Sequence, residues 1–153
     1  MERIVTMLDV KIELLPSYGN LPLPSYQTEG AAGFDFYAAN EEDIIINPGK
    51  TAMIPTGLRF SVPHGTELQV RPRSGLAAKK SVTVLNTPGT VDSYFRGEVR
   101  IILINLGEED FVVERGMIIA QGLLAPYFRG VLDVCDSLDS TERGEGGFGH
   151  TGI

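Results

Sequence analysis

Two short stretches hold most of the groups that could do chemistry. In "RPRSGLA" (71–77), Arg73, Ser74 and Gly75 bring a guanidinium, a hydroxyl and uncluttered backbone amides to the start of a short helix-forming run. Such a set can cradle phosphate, since each member donates hydrogen bonds and a helix start favours an anion. The same residues also suit a plain helix start, with Ser74 as N-cap and the arginines paired to surface acids. In "NTPGTVDSYFRGEV" (86–99), Asp92 follows Thr90-Val91 and precedes a hairpin carrying Tyr94 and Phe95. A carboxylate there can take a proton from water, or it can close an Asx-turn into the hairpin. Phe95 at a hairpin tip is either a stacking face or a contact for a neighbouring subunit.

Other polar residues stand out against apolar surroundings. "AAGFDFYA" (31–38) puts Phe34, Phe36 and Ala38 on one strand face and Gly33, Asp35 and Tyr37 on the other. Asp35 is then a solvated residue, or an outer-shell partner for a hydrated cation. Gln121 in "MIIAQGLL" (117–124) reads as a buried polar group that needs a backbone or ligand partner. His64, in a Pro-His-Gly turn, reads as exposed, and His150 lies near the C-terminus; neither has the spacing of a Ser-His-Asp triad. With one cysteine and two histidines the chain has no closed zinc site. Cys135, in "VLDVCDSL" (131–138), is expected on a half-buried strand as a structural or surface thiol.

The elements that must position these groups are strands. Alternating or β-branched segments recur at 9–15, 42–47, 52–62, 66–72, 81–86, 97–107, 110–114, 117–127 and 131–138. Turn clusters such as "NPGK", "VPHGT", "NTPGT" and "NLGEED" separate them. This predicts an all-β fold, a sandwich or jelly-roll-like barrel, with one short helix over 74–80. After Leu138 the composition turns polar and then glycine-rich, so the chain divides into a β domain, 1–138, and a mobile tail, 139–153. The tail contains a literal G-x-G-x-x-G, Gly144, Gly146 and Gly149, but with neither a preceding strand nor a following helix it is no dinucleotide fingerprint.

Net charge is −7 and no apolar run is long enough to span a membrane. Extended nucleic acid is a poor partner for such a surface. A small anionic ligand remains possible where basic groups converge or a divalent cation accompanies it. The N-terminal "MERIVTMLDVKIELLP" does not read as a secretory signal.

"AAGFDFYA", "RPRSGLA", "GTVDSYFRGEV", "RGMIIAQGLL" and "RGEGGFGHTG" occur in the order and at about the spacing of the motifs of the homotrimeric dUTPases, a family this chain resembles from about Lys11 onward. The resemblance implies a jelly-roll-like subunit, a cytoplasmic homotrimer with shared active sites, and Mg²⁺-dependent hydrolysis of dUTP to dUMP and pyrophosphate. That activity limits uracil in DNA and supplies dUMP for thymidylate synthesis. It further implies that Asp92 activates the water that attacks the α-phosphorus, while Arg73, Ser74 and Gly75 bind phosphates. Asn86 and the Thr90–Val91 backbone would line the uracil pocket, and Phe95 would lie against the deoxyribose. Asp35 would hold a water on Mg²⁺, Gln121 would approach the phosphates, and Arg100 would face the ligand. In the tail, Phe148 would stack on uracil and Arg143 would meet the γ-phosphate.

The chain departs from the family pattern in places. Phe95 stands where Tyr is usual, after Tyr94 where a small or acidic residue is usual. Met117 and Ile118 replace Asp-Arg, which removes a structural or intersubunit pair, and His150 replaces Ser. A dCTP deaminase, of the same fold, is disfavoured because Arg73 is followed by Ser74-Gly75 and because the tail carries Phe148. A trimer that binds nucleotide or a partner without catalysis is the reading from another class.

Overall fold

The computed structural model describes residues 5–152, so the first four residues of the N-terminal segment, and Ile153, lie outside the described residues. Eleven strands follow one another: β1 (Lys11–Leu14), β2 (Phe34–Tyr37), β3 (Ile44–Ile46), β4 (Thr51–Pro55), β5 (Leu58–Ser61), β6 (Thr66–Arg71), β7 (Val82–Val84), β8 (Gly89–Val91), β9 (Arg100–Asn105), β10 (Phe111–Val113) and β11 (Ile118–Pro126). Among the described residues a single α-helix, α1 (Ser74–Lys80), interrupts them, and a 3-10 turn covers Pro16–Tyr18. The strands form a four-stranded sheet ordered β2-β11-β6-β8, a three-stranded sheet β4-β9-β7, and the pairs β1-β5 and β3-β10. The pairings are antiparallel throughout. The all-β expectation holds, and the helix has the bounds the sequence predicts.

Period-two alternation explains most of the packing. In β6, Thr66, Leu68 and Val70 are buried while Glu67, Gln69 and Arg71 face outward. In β9, Ile101, Leu103 and Asn105 point inward. The buried Asn105 is satisfied: its amide donates to Ile46 O and Glu109 O at 2.8 and 2.7 Å, and its oxygen accepts from Gly107 N at 2.9 Å. Phe34, Phe36 and Phe60 pack as a ring cluster with centroids 5.3–5.9 Å apart. Gly122 of β11 makes room for it, since a Cβ there would stand 2.6 Å from Phe34 Cζ. Tyr18 is buried beside this core and donates its hydroxyl to Pro22 O; burial, and then Tyr37, raises its pKa.

Several local expectations are corrected. Residues 131–138 form no strand, and Cys135 is exposed, because the alternating pattern has no partner strand among the described residues. All four residues of β1 are exposed despite their alternation, since β1 pairs only with β5 at an edge. In the segment 99–104, Val99, Ile101 and Leu103 are in the core, while Ile102 and Ile104 are partly open. Ser74 is the first helical residue rather than the N-cap; Arg73 holds the cap position, with no side-chain cap bond.

Candidate active site

The segment 86–100 builds a cleft from local geometry. β8 lies along β6, with Gly89 opposite Val70 and Thr90 opposite Gln69. Gly89 permits this close approach: a Cβ there would stand 3.2 Å from that of Val70 and 3.5 Å from Asn86 Nδ2. Where β8 ends, the chain turns through Asp92 instead of continuing a strand. The turn holds itself together, Phe95 N donating to Asp92 O at 3.1 Å and Arg96 Nη1 to Ser93 O at 2.7 Å. Its base is tied back to the β4–β5 junction by Val99 N on Leu58 O (2.9 Å) and by Gly57 N on Glu98 Oε1 (3.0 Å). The Phe95 ring folds back over Gly97, whose missing side chain is essential to that pose, since a Cβ would meet Phe95 Cζ at 2.6 Å.

The result is a hollow of about 280 Å³ whose wall includes Asn86, Thr90, Val91, Asp92, Phe95 and Arg100. Six of the residues expected at the site thus meet in one place. Asp92 is exposed and Val91 is half-buried. Met53, Glu98 and Ile102 also line the cleft, and sequence reading missed them. Met53 lies opposite Ile102 in the β4–β9 register, a pairing invisible without the sheet. Glu98 was legible as an acid at the head of an apolar strand. It accepts from Gly57 N through one oxygen and from Arg100 Nε, at 2.9 Å, through the other. Arg100, itself in the cleft wall, is thus paired with an acid that also lines it.

A second group assembles on the other side of the same sheet order. β11 runs between β2 and β6, placing Gln121 opposite Asp35 on one side and Arg71 on the other. Gln121 is half-buried rather than buried, and its amide donates to Pro72 O at 3.1 Å. Pro72 turns the chain after β6, so that Arg73 comes back to Asp35, Nη1 to Oδ1, at 2.5 Å. Asp35 is 13% exposed and is not simply solvated. Ser74 and Gly75 follow, exposed at the head of α1, and a Cβ at Gly75 would meet nothing within 4 Å. This cluster does not line the cleft.

The tail is a third group. Thr141, Glu142, Arg143, Gly149, His150 and Thr151 surround a hollow of their own, and Arg143 Nε donates to Gly146 O at 2.8 Å. Phe148 is fully exposed, with φ at 51° in the left-handed region. Arg115, unflagged by the sequence, has a structural part: its guanidinium donates to Ala39 O, Asn40 O, Ser17 O and Tyr18 O at 2.8–3.4 Å, clamping the 3-10 turn to the end of β2. Ile118, at the position of the absent arginine, is half-buried opposite Tyr37.

Among the described residues no group of three or more His, Cys, Asp or Glu could by itself cage a metal ion. No helix is long and apolar enough to cross a membrane.

The chain resembles known proteins over nearly its whole length. The family profile described as dUTPase matches residues 19–152. The deoxyuridine 5'-triphosphate nucleotidohydrolase of Rickettsia felis is 50% identical over 149 residues, 97% of this chain and 100% of the relative. The Staphylococcus bacteriophage 80alpha dUTPase with dUPNHPP superposes with a TM-score of 0.84 at 24% identity, over 95% of this chain and 99% of that one. A mutant dUTPase from phage phi11 of S. aureus, which coordinates a structural Mg(II) ion, gives 0.75 at 20% identity over 86% and 99%. By profile and by full-length identity, the chain belongs to the dUTPase family.

Proposed function

We propose that this chain hydrolyses dUTP to dUMP and pyrophosphate by attack of water on the α-phosphorus, with Asp92 as the base. The observation that carries this reading is the cleft itself, which sets the Asp92 carboxylate at the rim of a hollow walled by Asn86, Thr90, Val91 and Phe95. Its volume, about 280 Å³, lies at the lower edge of the roughly 300–1,000 Å³ of small-molecule pockets. That is room for a base and sugar, with the phosphates left outside. Asn86 and the Thr90–Val91 backbone read the uracil edge. A pocket fitted to C5 rejects the thymine methyl by clash, and a wrong donor at C4 leaves buried groups unpaired. The Phe95 ring lies on the sugar and leaves no space for a 2′-hydroxyl; the ring suffices for this without the usual Tyr hydroxyl.

The phosphates need cations on an acidic protein. Arg73, with Ser74 and Gly75, and Gln121 bind them, Arg100 faces them, and Arg143 takes the γ-phosphate. Asp92 accepts the proton of the attacking water as the new oxygen–phosphorus bond forms, and the bond to the bridging oxygen breaks to release pyrophosphate. Magnesium usually keeps several waters and binds through one or two carboxylates plus substrate phosphates. The donor set here fits that habit: no protein cage, but one poorly exposed carboxylate, Asp35, with only Oδ1 given to Arg73. Asp35 would hold the ion through water, and Mg²⁺ would neutralise phosphate charge.

The three groups lie apart in one chain, which favours a homotrimer whose active sites are shared between subunits. Phe128, Val131, Leu132, Val134 and Leu138 are almost wholly exposed, a surface that assembly would cover. The tail, 139–153, is then a segment separate from the β domain that closes over bound nucleotide, Phe148 stacking on uracil. We place this activity in the cytoplasm, where it keeps uracil out of DNA and supplies dUMP. Pyrophosphate release from dUTP, dTTP, dCTP and UTP, with and without Mg²⁺, tests the reading. Release from dUTP alone, dependent on Mg²⁺, is expected. Ammonia without pyrophosphate would indicate a deaminase, and binding without turnover an inert trimer.

A further inference from the structure

The tip of the 92–98 turn carries an aromatic side chain that the cleft does not use. Tyr94 is 80% exposed, yet its ring is not loose: it stacks on His64 with centroids 5.8 Å apart and planes 27° from parallel. That spacing is within the range of offset aromatic pairs. His64 belongs to the β5–β6 turn, which is itself well anchored. Thr66 returns to Pro63 O through both its amide (3.1 Å) and its hydroxyl (2.6 Å), and Gly65 O accepts from Tyr127 N at 3.2 Å, just past the end of β11.

The turn's other ties to the body are all at its base, Glu98 to Gly57 and Val99 to Leu58, while its tip bonds internally. Phe95 sits at that tip, directly beside Tyr94. We infer that Tyr94 and His64 form a brace that fixes the tip and so holds Phe95 at the sugar position of the cleft, making them positioning residues for discrimination between deoxyribose and ribose. This rests on reading the cleft as the dUTP site. Neither side chain touches substrate; they act through Phe95. Asp92 lies at the near end of the turn, adjacent to β8, so the brace governs sugar fit more than the proton-accepting step.

The test has two arms on the full-length protein. In the first, kcat and KM are measured for dUTP and UTP in the wild type, Tyr94→Ala, His64→Ala, the double variant, and the ring-retaining Tyr94→Phe and His64→Phe. Tyr94→Ala and His64→Ala are expected to lower the dUTP-over-UTP ratio of kcat/KM about three- to tenfold. The loss should appear in KM, with kcat for dUTP within about twofold, and the double variant should be no worse than either single change. The ring-retaining variants should keep the wild-type ratio. In the second arm, amide exchange at Phe95 is followed without ligand, its N–H being bonded to Asp92 O. Exchange should rise similarly in both alanine variants and return to wild type in Tyr94→Phe. An unchanged ratio and unchanged Phe95 exchange in Tyr94→Ala would overturn the brace, as would additive losses in the double variant. A wild type that fails to turn over dUTP would instead refute the reading of the cleft, and that is seen before any variant is made.

Discussion

The cleft and the tail are built on opposite principles. The cleft is preformed: β8 lies along β6, the turn after it bonds to itself, and Phe95 occupies the gap above Gly97. The tail's hydrogen bonds run within residues 141–152, and Phe148 touches no neighbour that would hide it. Both segments carry glycines and a phenylalanine, but glycine does different work in each. In the cleft it lets a fixed ring fold close to the backbone. In the tail, on the proposed reading, it leaves the backbone free to fold over a ligand. Preorganisation belongs where bonds are broken; looseness belongs where substrate must enter and product leave.

The largest expected effect lies in the preformed half. Asp92→Asn should lower kcat for dUTP by roughly 10² or more while leaving dUTP affinity largely intact; steady-state pyrophosphate release and equilibrium binding measure the two. Near-wild-type turnover would remove Asp92 from the base role. Truncation after Glu142 should come next, cutting turnover by about 10–10² with fold and assembly unchanged by circular dichroism and light scattering. A truncated protein that hydrolyses dUTP normally would break the contrast, because the tail would then have no part in closure.

Two glycine substitutions sharpen the comparison at smaller scale. A Cβ at Gly97 would stand 2.6 Å from Phe95 Cζ, and one at Gly146 would stand 2.5 Å from His150 Cδ2. Neither glycine has a positive φ, so backbone strain does not confuse the result. Gly97→Ala must displace the Phe95 ring and should raise KM for dUTP about three- to tenfold. Gly146→Ala meets an exposed, movable imidazole and should change KM by less than about twofold. Equal effects at both would mean that the Phe95 pose is as adaptable as the tail.

The same division explains what could be read from the sequence. Part of the cleft wall was legible locally, Asp92 as an acid and Phe95 as an aromatic in one short turn-forming run, whereas Asn86, Thr90, Val91 and Arg100 were expected there from the resemblance to the dUTPases. Its opposite wall was not, because Met53 comes to Ile102 only through the β4–β9 register. The Asp35–Arg73 pairing was likewise hidden, since it depends on β11 lying between β2 and β6. Helix α1 was predicted with its right bounds from helix formers ending before Ser81, which adopts φ 54° and stops it. The strand expected around Cys135 failed for the converse reason. Period-two alternation reports that a segment could offer one apolar face to a sheet, but it does not supply a partner, and among the described residues, 131–138 have none.

The central claim is that this chain cleaves dUTP by water attack at the α-phosphorus beside Asp92. Turnover of dUTP with Mg²⁺ in ¹⁸O-labelled water, followed by mass spectrometry of both products, tests it most directly. One labelled oxygen is expected in the phosphate of dUMP and none in pyrophosphate. Label in pyrophosphate would place the attack on the β-phosphorus, away from the chemistry assigned to the cleft, and would contradict the account.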